Sequence, residues 1–244
     1  MSKRERAVEA AVIERLDPLL TEEGFVFDKR EKEFRRQREG HTHTLRYMLL
    51  GKGGQPGWDL ILFLRVAKPS LIPLLSYCAP PALGGDSAGY TVADRIENVA
   101  PNRKAPRAGA TPAETERCFA GIQRVIEKYC LPFFERFSDD GAVLEQALAH
   151  LGWARAPHCS LPPYQTAMAL LGDAGKGAEI NELLPDLATT RDIEFARRLA
   201  EFAPDLGLDV ALLPASDDKP DQPASDAAIA EKTARRKGAK KKRR

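Results

Sequence analysis

The chain has 244 residues, of which 43% are hydrophobic and 30% are charged, a composition that predicts a folded protein of one large or two small domains. No apolar run reaches the roughly 18 residues of a membrane span, and acidic residues in the first turns argue against a secretory signal. The formal net charge of +2 divides into −3 for residues 1–214 and +5 for residues 215–244. We therefore expect a cytoplasmic protein with no membrane association, a mildly acidic body and a basic C-terminal tail.

An amphipathic helix is predicted at the beginning of the chain. Val8, Val12 and Leu16 belong to an apolar stripe that recurs at helical spacing over about residues 3–22. Gly24 is in position to end this helix, because glycine is the common residue just after a helix C-terminus.

Four β-segments are predicted next, at residues 25–28, 33–38, 42–50 and 58–67. They alternate in polarity or form short apolar runs, and turn residues such as Glu39-Gly40 separate them. The last segment has apolar side chains on both faces, which predicts a central strand. Together the four segments predict an antiparallel meander.

The middle of the chain is less regular. Proline and glycine accumulate over residues 69–109, which predicts a long loop with one weak strand at 90–99. Thr111, Pro112 and Glu114 then form a capping box, so a helix is predicted to begin there. Pro132 must bend or break that helix, because proline lacks the N–H group and its ring clashes with the preceding turn.

Further helices are predicted over residues 142–151, 177–187 and 191–202. The fold class is therefore α+β: an antiparallel β-meander packed against an N-terminal helix and later helices. We divide the chain into an α+β domain at 1–152, a helical extension or small subdomain at 153–214, and a disordered basic tail at 215–244.

The order of these elements, with Glu23-Gly24-Phe25 near the start and the sequence LPFFERF at residues 131–137, resembles a family of small bacterial α+β domains of unknown function. The resemblance covers roughly residues 5–150 and implies the same fold. It implies no activity, because the family has no established catalytic residues. Small bacterial α+β proteins of similar shape often serve as immunity proteins that bind a toxin, and this analogy implies a binding role of that kind.

The cysteines do not form a zinc pattern. Cys78, Cys118, Cys130 and Cys159 include no C-x-x-C pair, so we expect them to be buried thiols. A nucleophilic Cys159 next to His158 is an alternative, but adjacent residues on an extended segment point to opposite sides.

Three further patterns suggest chemistry only weakly. His41 and His43 would project from one strand face and offer two nitrogens to a metal, with His150, His158 or an acid as a third ligand; a polar pair beside a turn is the simpler interpretation. The glycine-rich loop 51–57 lacks the G-K-[ST] ending of a phosphate-binding loop. Glu33 and Asp59 lack the additional acid of a metal-dependent nuclease site. We therefore predict no catalytic residues, no metal site and no cofactor.

Arginines cluster in the β-region, at Arg30, Arg35, Arg36, Arg38 and Arg46. They form either a guanidinium patch for phosphate or an acidic partner, or a solvated sheet face that neighbouring glutamates balance. Arg36 and Arg38 share a strand face, and we expect Arg46 to lie opposite them. The candidate partner-binding residues are Arg36, Arg38, Arg46, Tyr47 and Trp58.

The C-terminal tail has nine lysines and arginines among residues 232–244. Such a segment binds nucleic acid through counterion release, without reading its sequence. A solubilising terminus is the alternative. The candidate nucleic-acid-binding residues are Arg235, Arg236, Lys237, Lys240, Lys241, Lys242, Arg243 and Arg244.

The function predicted from the sequence is that of a non-catalytic, cytoplasmic protein-binding module, such as an immunity-type inhibitor of a toxin, whose protein partner is not identified. The alternative is a nucleic-acid-associated protein that binds through its tail, with no sequence specificity. A metal-dependent enzyme is the third hypothesis.

Overall fold

The computed structural model describes residues 3–51, 57–78, 92–100, 107–108, 112–151, 153 and 156–214. The basic tail and its eight candidate nucleic-acid-binding residues lie outside the described residues, as does most of the glycine-rich loop at 51–57.

An antiparallel sheet forms the centre of the fold. Its strands run in the order β1-β2-β3-β4-β5, and a short β6 pairs with the beginning of β4. The strands are β1 (Val26–Asp28), β2 (Glu33–Arg38), β3 (His41–Gly51), β4 (Trp58–Ala67), β5 (Val92–Arg95) and β6 (Arg107–Ala108). The predicted meander and the central position of β4 are confirmed.

Nine helices belong to the described part of the chain. They are α1 (Lys3–Glu22), α2 (Leu71–Cys78), α3 (Ile96–Val99), α4 (Pro112–Val125), α5 (Leu131–Phe137), α6 (Asp140–Leu148), α7 (Pro163–Asp173), α8 (Gly177–Leu183) and α9 (Thr190–Phe202). A π-helical turn (Ile126–Cys130) joins α4 to α5, and 3₁₀ turns lie at Leu184–Asp186, Pro204–Leu206 and Val210–Leu212. The α+β fold class is confirmed.

The tight turn between β2 and β3 sets the register of the first hairpin. Glu39 and Gly40 both have positive φ, 49° and 78°, which is the geometry of a type I′ turn and matches the right-handed twist of paired strands. Arg38 therefore pairs with His41, and Arg36 pairs with His43.

One face of the sheet is buried under the helices. Leu60, Leu62 and Leu64 on β4 are fully buried there, together with residues of α1, α4, α5 and α7. We call this the helix side. On the opposite face, Met48 and Leu50 are 44% and 46% exposed, and neighbouring side chains are half-buried. We call it the open face and define it by Arg46, Met48, Leu50, Ile61, Phe63, Arg65 and Arg95.

Three predictions of secondary structure were wrong. The segment 69–109 contains α2, where only a loop and a weak strand were expected. The helix tolerates Pro73 because this proline lies in the first turn, where its missing N–H group has no partner within the helix to lose. The strand expected at 90–99 ends at Arg95 and continues as α3. Helix α7 was missed because it is buried on nearly all sides, so that it has no amphipathic stripe to detect.

Pro132 changes the helix without ending it. The π-helical turn directly precedes α5, and Pro132 lies in the first turn of α5. A π-helical turn accommodates a proline because it opens the backbone where the ring would clash and where one hydrogen bond is lost. Helix α5 then directs Phe133, Phe134 and Phe137 into the core.

The C-terminal helices share the core of the sheet domain. Helix α2 packs on α7 and α9, and α6 packs on α7. Cys159 also pairs with Val92 of β5, and the backbone N–H of Ala93 donates to the carbonyl of His158 at 2.9 Å. The division of the chain into 1–152 and 153–214 stays a prediction.

We expect Gly177→Ala to destabilise the protein by about 3 kcal/mol, because a Cβ atom at the beginning of α8 would lie 1.8 Å from the carbonyl oxygen of Leu206. Gly172→Ala in α7 is the matched control: its Cβ would lie 3.4 Å from Leu199 Cδ1, and we expect a change within about 1 kcal/mol. Urea unfolding of the two variants measures the difference. Equal midpoints would contradict the prediction.

Candidate functional site

A buried chain of hydrogen bonds crosses from β2 to α5 on the helix side. Arg36 Nε donates to His43 Nδ1 at 2.8 Å, and His43 Nε2 lies 2.6 Å from Ser138 Oγ. Ser138 Oγ in turn donates to the carbonyl of Phe134 at 2.7 Å. The rings of His43 and Phe134 stack with their centroids 5.0 Å apart.

The direction of the protons in this chain opposes nucleophilic catalysis by Ser138. Arg36 Nε can only donate, so His43 Nδ1 accepts, and neutral His43 carries its proton on Nε2. His43 therefore donates to Ser138 and is unable to accept the serine proton, as the base of a serine hydrolase must. Burial, reinforced by the charge of Arg36, lowers the pKa of His43 to about 3. These hydrogen bonds connect the sheet to the C-terminal end of α5.

The remaining donors of Arg36 are also used. Nη1 donates to the carbonyl of Glu23 and Nη2 to Glu135 Oε1, each at 3.0 Å. The guanidinium lies over the ring of Phe25 at 4.7 Å. Arg38 Nη1 donates to the same Glu135 oxygen at 2.6 Å. Arg36 is only 6% exposed, and its guanidinium forms hydrogen bonds within the protein through all three of its nitrogen atoms.

His41 forms a second cluster, at the end of β3. Its Nδ1 faces the carbonyl of Glu39 and its Nε2 faces Asp140 Oδ1, both at 3.0 Å. Both partners are acceptors, so the protonated ring has an acceptor for each of its N–H groups, and the bond to Asp140 raises the pKa of His41. Lys68 Nζ binds the other oxygen of Asp140 and also Asp173, the latter at 2.7 Å. The cluster connects β3 to α6 and α7.

The two histidines share a strand face, as predicted, but they do not share a ligand. Within the described ranges, no three His, Cys, Asp or Glu side chains are close enough to hold a metal ion. His150 Nδ1 hydrogen-bonds to the carbonyl of Gln146, and His158 Nδ1 lies 2.6 Å from Asp94 Oδ2.

The other reactive groups are also separated. Burial raises the pKa of the Cys159 thiol to about 11, so this residue is not a thiolate at neutral pH. All four cysteines are buried and free. Glu33 on β2 and Asp59 on β4 share a face, but Glu33 aligns through Arg46 with Phe63, four residues along β4 from Asp59. The two carboxylates do not converge.

The arginines do not form one patch. Arg36 and Arg38 lie on the helix side, whereas Arg46 lies opposite Glu33 on the open face. The expectation that Arg46 lies opposite Arg36 and Arg38 was wrong, because the two-residue turn places residues of even number opposite residues of odd number.

The two aromatic candidates lie on the helix side. Tyr47 is buried there, one residue from Arg46 but on the other face, and its hydroxyl faces Glu9. Trp58 is half-buried at the beginning of β4, on the same face as Leu60. Of the five candidate partner-binding residues, Arg46 alone belongs to the open face.

Three arginines and one aromatic ring occupy the centre of the open face. Phe63 on β4 is the register partner of both Arg46 on β3 and Arg95 on β5. The guanidinium of Arg95 lies over the Phe63 ring at 5.4 Å. Arg65 follows two residues later on the same face. Alternation along β4 would have predicted the position of Arg65 beside Ile61 and Phe63, whereas Arg95 lies beyond a segment with no recognisable periodicity.

Comparison with known proteins provides no assignment for this arrangement: no family model, curated protein or solved structure matches the chain. The resemblance to the bacterial α+β family therefore stays a prediction. Among the helices in the described ranges, none combines the length and the apolar character needed to cross a bilayer.

We expect His43 by itself to lower the unfolding free energy by about 2 kcal/mol between pH 7.5 and pH 5. With a folded pKa of about 3, His43 stays neutral in the folded protein and gains a proton only on unfolding once the pH falls below the unfolded pKa, about 6.5. His43→Gln should remove this decrease. Urea unfolding at each pH measures it.

His41→Gln is the matched control for this experiment. The pKa of His41 is raised in the folded protein, so its contribution is complete below pH 6.5 and is lost as the pH rises through the folded pKa. The control should therefore keep the loss of stability on acidification below pH 6.5, and it should lack the separate loss of stability that His41 causes as the pH rises above 6.5. If the unfolding free energy depended on pH in the same way below pH 6.5 in the wild type and in His43→Gln, His43 would not be the cause of the loss of stability.

Proposed function

We propose that the protein is a non-catalytic binding module that holds an acidic protein partner on its open face. The observation that carries the proposal is the position of Phe63 between Arg46 and Arg95 at the centre of that face. Aromatic and arginine side chains are the residues that contribute most to protein interfaces, especially near their centre.

The composition of the open face supports an interface. Met48, Leu50 and Ile61 provide exposed or half-buried apolar area around the arginines, and such mixed surfaces are typical of the core and rim of an interface. All of these residues lie on paired strands, so the backbone loses little conformational freedom on binding.

The charge of the face favours an acidic partner. Guanidinium groups bind carboxylates through two parallel hydrogen bonds, and three arginines lie within a few residues of one another across three adjacent strands. An immunity-type inhibitor is one protein with such a role. Its toxin would have to present an acidic surface to this face.

The chemistry of the helix side supports a role without catalysis. Ser138 accepts a hydrogen bond from His43 and is not activated by it, and the thiol of Cys159 keeps its proton at neutral pH. The polar groups on that side join elements of the fold to one another.

A nucleic-acid-associated protein is the second candidate. Phe63 provides a surface on which a base can stack, and Arg46 and Arg95 can bind phosphates. The guanidinium of Arg95 already lies over the Phe63 ring, so a base would have to displace it in order to stack, which is why the protein partner is favoured. The basic tail would add affinity that does not depend on sequence.

We expect the double variant Arg46→Glu, Arg95→Glu to bind its partner at least tenfold more weakly than the wild type, because two interface arginines each contribute about 1–2 kcal/mol. Affinity capture from the native lysate, with nuclease treatment and the wild type as bait, identifies the partner. Titration of the purified partner by calorimetry then measures the loss. The double variant Arg124→Glu, Arg197→Glu is the control, because it makes the same charge change at exposed positions on α4 and α9.

Two results would contradict the proposal. Equal binding by the open-face variant and the control would show that the partner binds elsewhere. If nuclease treatment or truncation to residues 1–231 removes all captured material, and a single-stranded oligonucleotide binds the full chain with a steeper salt dependence than it binds the truncated chain, the nucleic-acid role is favoured.

A further inference from the structure

A groove lies between α1 and the first strands on the helix side, away from the open face. Its volume is about 550 Å³, within the range of sites that bind small molecules. Phe25, Phe27 and Tyr47 form its floor. The rings of Phe27 and Tyr47 are nearly parallel, with their centroids 6.5 Å apart and an interplanar angle of 22°. The floor is therefore flat and aromatic.

Two polar side chains of the groove, Lys32 and Tyr47, meet at Glu9, and Asp17, Thr21 and Lys29 line the groove as well. The carboxylate of Glu9 is 15% exposed and accepts a hydrogen bond from Lys32 Nζ at 2.6 Å. The hydroxyl of Tyr47 also points to Glu9 Oε1, but at 3.4 Å, which is longer than the ~2.5–3.0 Å of an ordinary O–H···O bond. Tyr47 is 5% exposed, so a buried donor has only a weak contact with the acceptor that faces it.

The proton of Tyr47 is retained at neutral pH. Burial and the neighbouring charge of Glu9 both raise the pKa of Tyr47, so the hydroxyl remains available as a donor. The carboxylate of Glu9 and the hydroxyl of Tyr47, next to the apolar floor, fit a ligand that has a flat apolar body and a polar group.

Lys32 shows which polar group fits beside Glu9. Its ammonium group forms an ion pair with the carboxylate of Glu9, yet the side chain is half-exposed and belongs to a turn on the other side of the groove from α1. The backbone of Lys32 has a φ of 56°, a left-handed conformation that is unfavourable for a lysine. Because the side chain of Lys32 is half-exposed, its ammonium group can move towards solvent when a competing amine takes its place at Glu9.

We propose that this groove binds a small molecule with an aromatic body and a primary ammonium group. The ammonium replaces that of Lys32 at Glu9, and the ring lies on the floor that Phe25, Phe27 and Tyr47 form. Contact of a cation with aromatic faces strengthens such binding where water is excluded. The site lies on the opposite side of the sheet from the open face, so it does not depend on the proposed protein partner.

The experiment uses 2-phenylethylamine as the probe and the full chain at pH 7, followed by NMR of the backbone amides. We expect saturable shifts at Phe25, Val26 and Phe27. Phenylacetate, which has the same ring and the opposite charge, should give no saturable shift there.

Substitutions at the polar end test the contacts separately. Lys32→Ala removes the competing ammonium and should tighten binding of 2-phenylethylamine at least threefold, whereas Glu9→Gln should weaken it at least tenfold. Lys29→Ala, which removes an exposed lysine of the same groove, is the control and should change the affinity less than twofold.

Three outcomes would overturn the proposal. They are equal binding of phenylacetate, no tightening in Lys32→Ala, and amide shifts confined to residues outside the groove. The test with Lys32→Ala remains valid even if Glu9→Gln fails to fold, because the two substitutions are made in separate proteins. Lys32→Ala also has its own predicted result, which is tighter binding of 2-phenylethylamine.

Discussion

The buried guanidinium of Arg36 is the interaction on which the arrangement of the sheet and helices depends. A charge in the core is tolerated only where its donors are paired, and Arg36 pairs with His43, Glu135 and the carbonyl of Glu23. His43 belongs to β3, Glu135 belongs to α5, and Glu23 directly follows the last residue of α1. One side chain therefore connects the first hairpin to two helices that are far apart in sequence.

The register that brings Arg36 to His43 also determines what the open face presents. Adjacent strand residues point to opposite faces, so the pairing that places Arg36, Arg38 and Tyr47 on the helix side places Arg46 with Phe63 on the other side. A shift of the hairpin by one residue would exchange the two sets. The Glu39-Gly40 turn prevents this shift, because a two-residue loop with positive φ at both positions fixes which residues face each other.

Sequence patterns predicted the elements that depend on local rules. The stripe of α1, the alternation of the strands and the turn at Glu39-Gly40 all follow from neighbours within a few residues. The site was less predictable because its geometry depends on contacts across the chain: His43 meets Ser138, 95 positions away, and His41 meets Asp140, 99 positions away. No spacing in the sequence predicts that either pair of residues is in contact.

His41 and His43 illustrate what such distant contacts decide. The two residues have the same type, the same strand and the same face, yet burial beside Arg36 lowers the pKa of one and a hydrogen bond to Asp140 raises that of the other. His43 is a neutral link in a chain of hydrogen bonds, whereas His41 lies in a cluster with Asp140 and Lys68 that favours its protonated form. A metal would need both rings neutral and directed at one point, so the contacts that stabilise the fold are also what keep this pair from acting as a metal site.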